Sequence, residues 1–245
     1  MDSAGPVVLI VAVLAVVVVA IVFGAKQAQK RRDALAALSR RLGWRFDPDK
    51  DRGHDERFAQ FAMFRQGHGR AAYNTLEGEI TINDRVYRGQ MGDFTYKVTR
   101  NNGKSRTTTT YRVSYLLLRP PLVWRGELRI RPEHLFDKLA GAIGFDDIDF
   151  ESAEFSRKFH VKCDDKRFAY DVVTPRMMEF LLRSSPQLVE YDKGWCLLSQ
   201  GNKRWRPEEF ETHLGWLGTF FEHWPEHLMK DMAEPQQGLA GALGR

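Results

Sequence analysis

The stretch His-Trp-Pro-Glu-His at residues 223–227 has the spacing of a zinc-peptidase signature. In that signature two histidines lie on one helix face and bind zinc, while the glutamate acts as a general base. His223, Glu226 and His227 are therefore the candidate metal-site residues of this chain. With zinc bound they would support a hydrolase, which is the alternative function that the sequence allows.

Two features of the same stretch argue against a metal site. Pro225 lies between the histidines, removes a backbone donor and tends to kink a helix, which disturbs the required geometry. A zinc site also needs a third protein ligand, and the downstream candidates are Asp231 and Glu234. We therefore favour a kinked aromatic helix here, and we expect neither a metal nor another cofactor.

Other residues with reactive side chains do not form a recognisable motif. The sequence contains no P-loop, G-x-S-x-G or G-x-G-x-x-G pattern. The acidic pairs at 146–147 and 164–165 are typical of turns rather than of acid–base catalysis. Cys163 and Cys196 lack C-x-x-C spacing, and whether they pair in a disulfide stays open. A non-catalytic role is thus favoured over an enzymatic one.

Residues 7–25, VVLIVAVLAVVVVAIVFGA, form an apolar run without a charged side chain. As a helix this run would be roughly 28 Å long, which matches the hydrocarbon thickness of a bilayer. A signal peptide would have a basic start and a shorter apolar stretch, whereas MDSAGP precedes this run. We predict a transmembrane anchor over residues 1–25. The basic flank then places the rest of the chain on the cytoplasmic side of the cell (inner) membrane.

A basic cluster follows the anchor and suggests contact with the membrane surface. Leu35, Leu38 and Leu42 recur at helical spacing, which predicts a basic juxtamembrane helix over residues 26–43. This helix can contact anionic lipid headgroups, or it can be a solvated connector whose charges only enforce topology. Both alternatives stay open. The candidate surface-binding residues are Lys26, Lys30, Arg31, Arg32, Arg40 and Arg41.

The formal net charge of +5 belongs almost entirely to that cluster. From Leu42 onward the chain has 31 basic and 30 acidic side chains, a net charge of +1. A neutral domain argues against nucleic acid as the partner. The expected partners are the membrane, through one span, and a protein that the sequence does not identify.

Alternating apolar and polar residues predict four strands, at 71–82, 86–99, 107–118 and 122–130. An Asn-Asn-Gly turn at 101–103 joins the second and third strands in a hairpin. Four basic residues surround the tip of this hairpin, and we expect them to protect an exposed strand end rather than to bind phosphate or lipid. They are Lys97, Arg100, Lys104 and Arg106.

Helical patterns occur before and after these strands. Helices are predicted at 56–64, 134–144 and 207–232, and Thr174 with Pro175 marks the start of another. Residues 187–201 read as two strands joined at 192–194. The resulting fold class is α+β, with an N-terminal transmembrane helix and one cytoplasmic domain of mainly antiparallel strands over residues 44–232. Residues 233–245 are predicted to be a flexible tail.

The segment EFSRKFHVKCDDKRFAYDVVTPRMMEFLL, residues 154–182, resembles an uncharacterised bacterial membrane-protein family, domain-of-unknown-function class thirty-one thirty-seven. The matching residues are Glu154, Phe155, Phe159, Val161, Asp164, Ala169, Tyr170, Thr174, Pro175, Met178, Leu181 and Leu182. Ser156 stands where the family usually has asparagine. The resemblance implies a membrane-tethered cytoplasmic domain and implies no reaction. The function expected from the sequence is thus a single-pass membrane protein with a non-catalytic binding or scaffold domain.

Overall fold

A computed structural model of the chain describes residues 4–103, 105–124, 126–133, 148–184 and 187–233, with side chains from Leu9 onward. Lys104, the helix predicted at 134–144, the acidic pair at 146–147 and the tail from Glu234 lie outside the described residues.

Helix α1, Ala4–Leu42, is one continuous helix that contains both the apolar run and the basic segment after it. It is long and apolar enough to cross a membrane, and its most apolar window has a mean hydropathy of 2.9 and is not buried. The large apolar side chains between Leu9 and Phe23 are exposed, as they are in a helix that contacts lipid. At the other end, Leu35 and Leu38 are buried in the folded domain.

In the described part of the chain, eight strands form one antiparallel sheet in the order β1-β2-β3-β4-β8-β7-β5-β6. The strands are β1 Arg45–Asp47, β2 His68–Ile82, β3 Arg85–Asn101, β4 Arg106–Arg119, β5 Leu128–Pro132, β6 Phe159–Cys163, β7 Leu188–Asp192 and β8 Trp195–Ser199. The predicted β3–β4 hairpin is confirmed, with Asn101 opposite Arg106. The α+β fold class with an N-terminal apolar helix is likewise confirmed.

Among the described residues, the helices after α1 are short except for α6. They are α2 His54–Arg57, a 3-10 helix Ala62–Arg65, α3 Ala153–Lys158, α4 Lys166–Val172, α5 Pro175–Arg183, α6 Pro207–Glu222 and α7 Glu226–Asp231. Side-chain caps begin three of these short helices, among them α3, where the Ser152 hydroxyl accepts a hydrogen bond from Phe155 N–H. The Asp165 carboxylate accepts hydrogen bonds from the first turn of α4, and the Thr174 hydroxyl accepts one from Met177 N–H in α5.

The two faces of the central strands bury different clusters. In the β3–β4 hairpin, Phe94 and Val113 lie opposite each other and pack against Phe58, Phe61 and Phe64. The other face carries the larger core, in which α1 and α6 pack over the sheet. Helix α1 is therefore part of the domain core at its C-terminal end.

The indole of Trp44 packs against two glycines directly after the end of α1. Gly43 has a φ of 68°, a left-handed conformation that favours glycine, and it turns the chain into Trp44. The Trp44 indole lies over Gly78 and Gly89, which face each other on β2 and β3. A Cβ atom on either glycine would come within 2.3 Å of the indole, so only glycine leaves room for this contact.

Four predicted elements differ from the structure. The helix predicted at 56–64 is two short pieces, α2 and the 3-10 helix. The strand predicted at 122–130 is confined to β5, because Trp124 leaves the sheet to stack on Phe168 and Tyr191. The three-residue strand β1 lies where turns were expected. The single helix predicted at 207–232 is α6 and α7, separated at Pro225.

Candidate functional site

Helix α1 crosses one face of strands β2, β3 and β4, and the character of that face changes along the helix. Opposite Leu35 and Leu38 the face is apolar and closed. One turn nearer the apolar run, Arg31 meets a buried polar cluster on Asp93. Still nearer the apolar run, the helix and the sheet face line an open cleft. Successive pairs on this face of β3 and β4 are Met91 with Leu116, Asp93 with Ser114, Thr95 with Arg112 and Lys97 with Thr110.

Arg31 and Asp93 form a two-pronged ion pair between the helix and the sheet. Arg31 Nε donates to Asp93 Oδ2 at 2.7 Å, and Arg31 Nη2 donates to Oδ1 at 2.6 Å. The third nitrogen, Nη1, donates to the carbonyl oxygen of Trp205 at 2.7 Å. The Asp93 side chain is fully buried and that of Arg31 is 11% exposed. A planar guanidinium suits this bidentate geometry, whereas a lysine does not.

Three further side chains donate to the Asp93 carboxylate. Asn74 Nδ2 donates at 3.0 Å, Ser114 Oγ at 3.0 Å and Arg204 Nη2 at 3.1 Å. Burial by itself would raise the pKa of Asp93, but the hydrogen bonds and charges of Arg31 and Arg204 outweigh it and hold the pKa below its ordinary value. Asp93 is therefore an ionised, fully engaged carboxylate at the junction of helix and sheet.

The cleft beside this junction has a volume of 1270 Å³. Its walls come from α1, the segment after β1, strands β2 to β4 and the start of α6. Gly24, Gln27 and Ala28 of α1 form the wall nearest the apolar run. Gly24 itself belongs to the apolar run, so the cleft begins where that run ends.

Basic side chains dominate the lining of the cleft. Nine basic residues line it, and Glu208 supplies a carboxylate there. Four of the nine are engaged elsewhere: Arg31 and Arg204 with Asp93, Arg70 with Asp55, and Arg206 with Glu209 at 3.6 Å. The other five make no ion pair within the described part of the chain. These five, the cleft bases, are Lys30, Lys50, Arg52, Lys97 and Arg112.

Tyr73 adds a neutral donor to the same cleft. Its hydroxyl is buried and has no hydrogen-bond partner among the described residues. Burial raises the pKa of Tyr73, so the phenol stays protonated. The guanidinium of Arg204 lies 5.9 Å from the centre of the Tyr73 ring, a distance suited to a cation–π contact. An anion in the cleft would find one hydroxyl donor as well as several positive charges.

The candidate zinc residues do not share a helix face. His223 is the residue that ends α6; its Nδ1 lies 2.8 Å from the carbonyl oxygen of Thr219, and its ring stacks on Phe180. Glu226 begins α7 and pairs with Arg85 at 2.8 Å. No group of three or more potential ligands that could hold a metal occurs in the regions described. The break at Pro225 thus removes the geometry that the signature requires.

The six predicted surface-binding residues separate into two sets. Arg31 is buried against Asp93, and Arg41 pairs with Glu211 on α6. The other four, Lys26, Lys30, Arg32 and Arg40, are exposed. Lys30 belongs to the cleft bases as well. The site residues that the sequence missed are Lys50, Arg52 and Arg112, and Lys97 was interpreted only as protection of a strand end.

A signal for those residues exists in the sequence, but only in part. On β3, Asp93, Thr95 and Lys97 alternate with Phe94 and Tyr96. Because successive side chains of a strand point to opposite faces, this strand has one polar face and one aromatic face. The polar face of β3 is the signal in the sequence that indicates a polar site. Helix α1 covers this face, but it lies about sixty residues earlier in the chain, as the pair of Arg31 with Asp93 shows. The sequence pattern of β3 therefore does not identify the other wall of the cleft.

No protein-family model and no curated protein matches this chain. A solved structure that is similar in fold is the crystal structure of the mycobacterial trehalose monomycolate transport factor A, TtfA. The TM-score is 0.52 at 11% sequence identity, and the similarity covers 81% of this chain and 96% of that chain. At this identity the similarity concerns the fold alone.

Proposed function

We propose that this chain is a single-pass, membrane-anchored, non-catalytic binding protein whose domain lies on the cytoplasmic side of the cell (inner) membrane. The observation that carries the proposal is the continuity of α1, which runs from an exposed apolar segment into the core of the domain. The two-pronged contact of Arg31 with Asp93 then ties this helix to the sheet. A domain held in this way keeps one surface, the basic cleft, beside the membrane.

The basic flank of the span supports the cytoplasmic orientation through the positive-inside rule. It also supports contact with anionic headgroups, but not for all six residues. With a rise of 1.5 Å per residue, Lys30 lies roughly 8 Å and Arg40 roughly 22 Å beyond residue 25. The Debye length at physiological salt is about 8 Å. We therefore assign surface contact to Lys26, Lys30 and Arg32, and not to Arg40 or Arg41.

A protein of similar fold is described as a transport factor for trehalose monomycolate. From this we extend only the class of role, which is binding without chemical conversion, and not the ligand. The resemblance of residues 154–182 to the uncharacterised membrane-protein family is part of the same proposal. Its Phe155, Phe159 and Val161 are buried, so these three shared residues act in packing.

Membrane extraction and topology mapping test the proposal. The full chain should stay in the membrane after an alkaline carbonate wash, and a cysteine placed at Arg176 should react with an impermeant maleimide only from the cytoplasmic side. Leu14→Asp with Val17→Asp should release the chain, because each acid at mid-bilayer costs about 3 kcal/mol. Leu14→Ala with Val17→Ala is the matched control and should remain in the membrane. Release of the unaltered chain, or labelling from outside, would overturn the proposal.

A further inference from the structure

The cleft between α1 and strands β2 to β4, the basic cleft, has a concentration of positive charge that favours an anionic ligand. Its five cleft bases come from four separate segments: α1, the segment after β1, strand β3 and strand β4. Like charges brought together from distant parts of a chain repel one another, and within the described residues no carboxylate pairs with them. The domain around them is nearly neutral, so this concentration is local. A bound anion would neutralise it.

The donor set favours phosphate among anions. Arg52 and Arg112 offer planar guanidinium groups that bind phosphate oxygens in pairs, and Lys50 and Lys97 add point charges. The buried hydroxyl of Tyr73 supplies a neutral donor with no partner in the described structure. Glu208 also lines the cleft, and a carboxylate there disfavours a crowded polyanion. One phosphate group with a small headgroup fits a cleft of 1270 Å³.

The position of the cleft favours a phosphate carried by a lipid. Gly24 forms part of its wall and also belongs to the apolar run. Arg31, at its inner end, lies seven residues farther along the helix, which is roughly 10 Å. The headgroup layer on each side of the hydrocarbon core is roughly 5–8 Å deep, so the outer part of the cleft lies within that layer and its inner end lies just beyond it. Beside the cleft mouth Phe23 is 63% exposed, so acyl chains can lie along α1 while the headgroup enters the cleft.

We propose that the cleft binds the phosphate-bearing headgroup of an anionic membrane lipid, held by Arg52, Lys97 and Arg112. This inference rests on the proposed function, because it needs α1 in a membrane. Arg31 and Arg204 are not available as ligands, since Asp93 engages both. They form the closed inner end of the cleft, and the exposed bases in front of them bind the lipid.

Native mass spectrometry of the full chain in detergent tests the inference, with equal amounts of phosphatidylglycerol and phosphatidylcholine added. The unaltered chain should retain phosphatidylglycerol in preference to phosphatidylcholine. Arg52→Gln, Lys97→Gln and Arg112→Gln combined should weaken that retention at least about tenfold, because each base near a lipid surface contributes substantially to binding. A charge-matched control, Lys166→Gln, Arg167→Gln and Arg176→Gln, alters exposed residues of α4 and α5 and should stay within about twofold of the unaltered chain.

A second variant guards against loss of folding. Arg52→Lys with Arg112→Lys keeps both charges but loses the paired guanidinium hydrogen bonds, so it should retain phosphatidylglycerol better than the cleft triple and less well than the unaltered chain. Equal retention by the cleft and control triples would overturn the inference, and so would equal retention of the two lipids by the unaltered chain. Inorganic phosphate that displaces the lipid at millimolar concentration would assign the cleft to a free phosphate. Tighter binding of a single-stranded oligonucleotide, lost in the cleft triple, would assign it to nucleic acid. Failure of the carbonate test would instead overturn the membrane anchor.

Discussion

Arg31 and Asp93 are 62 residues apart in the sequence, and their side chains make two parallel hydrogen bonds of 2.7 and 2.6 Å. One belongs to the helix that leaves the apolar run, and the other belongs to the middle of the sheet. This pair joins the apolar helix α1 to the folded domain as one unit. It also closes the inner end of the basic cleft, so the position of the cleft relative to the helix is fixed.

Loss of the Asp93 charge should destabilise the domain strongly. Asp93→Asn leaves Arg31 and Arg204 without a buried counter-charge, and breaking such a pair costs about 3–5 kcal/mol of the free energy of unfolding. Chemical denaturation of the full chain in detergent measures this change. Asp149→Asn removes the same charge at an exposed position and should cost less than about 0.5 kcal/mol. A loss below about 1 kcal/mol for Asp93→Asn would show that the pair does not hold helix and sheet together.

Mild acid should destabilise the domain through His54. Its ring is buried among Phe58, Phe64 and Tyr115, and both ring nitrogens lack a partner among the described residues. Burial, together with the nearby charge of Arg57, lowers the pKa of His54 to about 3. The unfolded chain therefore takes up a proton below about pH 6.5, whereas the folded chain does not. Stability from this group is present above pH 6.5 and is lost as the pH falls toward 3.

Measuring the free energy of unfolding at pH 7 and at pH 5 tests this effect. We expect the unaltered chain to lose about 2 kcal/mol from His54 over this interval. His54→Phe should remove that part of the loss, and the part due to buried His213, whose pKa burial lowers to about 4, should remain. His227→Gln, on the exposed side of α7, is the control for the removal of a histidine. Equal slopes for His54→Phe and the unaltered chain would refute the assignment.

The contact of Trp44 with two glycines should tolerate no added methyl group. In Gly89→Ala the new Cβ would lie 2.3 Å from the indole, so the indole must move, and overpacking of this kind costs about 1–3 kcal/mol. Gly215→Ala is a control in α6, where the space is open and the expected effect is stabilisation by about 0.5–1 kcal/mol. Thermal unfolding compares the two. Equal or higher stability of Gly89→Ala would contradict the close approach of Trp44.

The stretch at 223–227 should hold no zinc. Because His223 ends α6 and Glu226 pairs with Arg85, replacing His227 by alanine should leave both metal content and thermal stability unchanged. Elemental analysis of the full chain after purification with added zinc makes the comparison. About one zinc per chain that is lost in His227→Ala would contradict this account and restore the metal site.

The sequence predicts the parts of the fold that depend on local chemistry. An uncharged run of bilayer length, an Asn-Gly turn between alternating strands and a Thr-Pro helix start each determine their own element. Leu122 and Trp124 fit a strand pattern, but the predicted strand is wrong there because Trp124 leaves the sheet to stack on Phe168. The predicted single helix at 207–232 is wrong because α6 ends at Glu222 and α7 begins after Pro225.

The cleft could not be predicted from the sequence, because its bases come from four segments that converge only in the fold. Arg31 illustrates the difficulty. In the sequence it is one member of a basic cluster, and its residue type does not distinguish it from Arg32. In the structure Arg31 is a buried partner of Asp93, whereas Arg32 is exposed. Helical phase alone places Arg31 on the side of Leu35 and Leu38, and the partner on the sheet decides its role.

The depth of the cleft in a bilayer tests the central claim most directly. Thr110 lines the cleft and is exposed, so a nitroxide label on Thr110→Cys reports its surroundings in the full chain reconstituted in lipid. The native Cys163 and Cys196 are buried, and burial raises the pKa of both thiols, so they react slowly. We predict that the label lies within the headgroup layer, while a label at Arg176→Cys lies in water. A Thr110 label with the same aqueous accessibility as the Arg176 label would contradict a cleft held at the membrane surface.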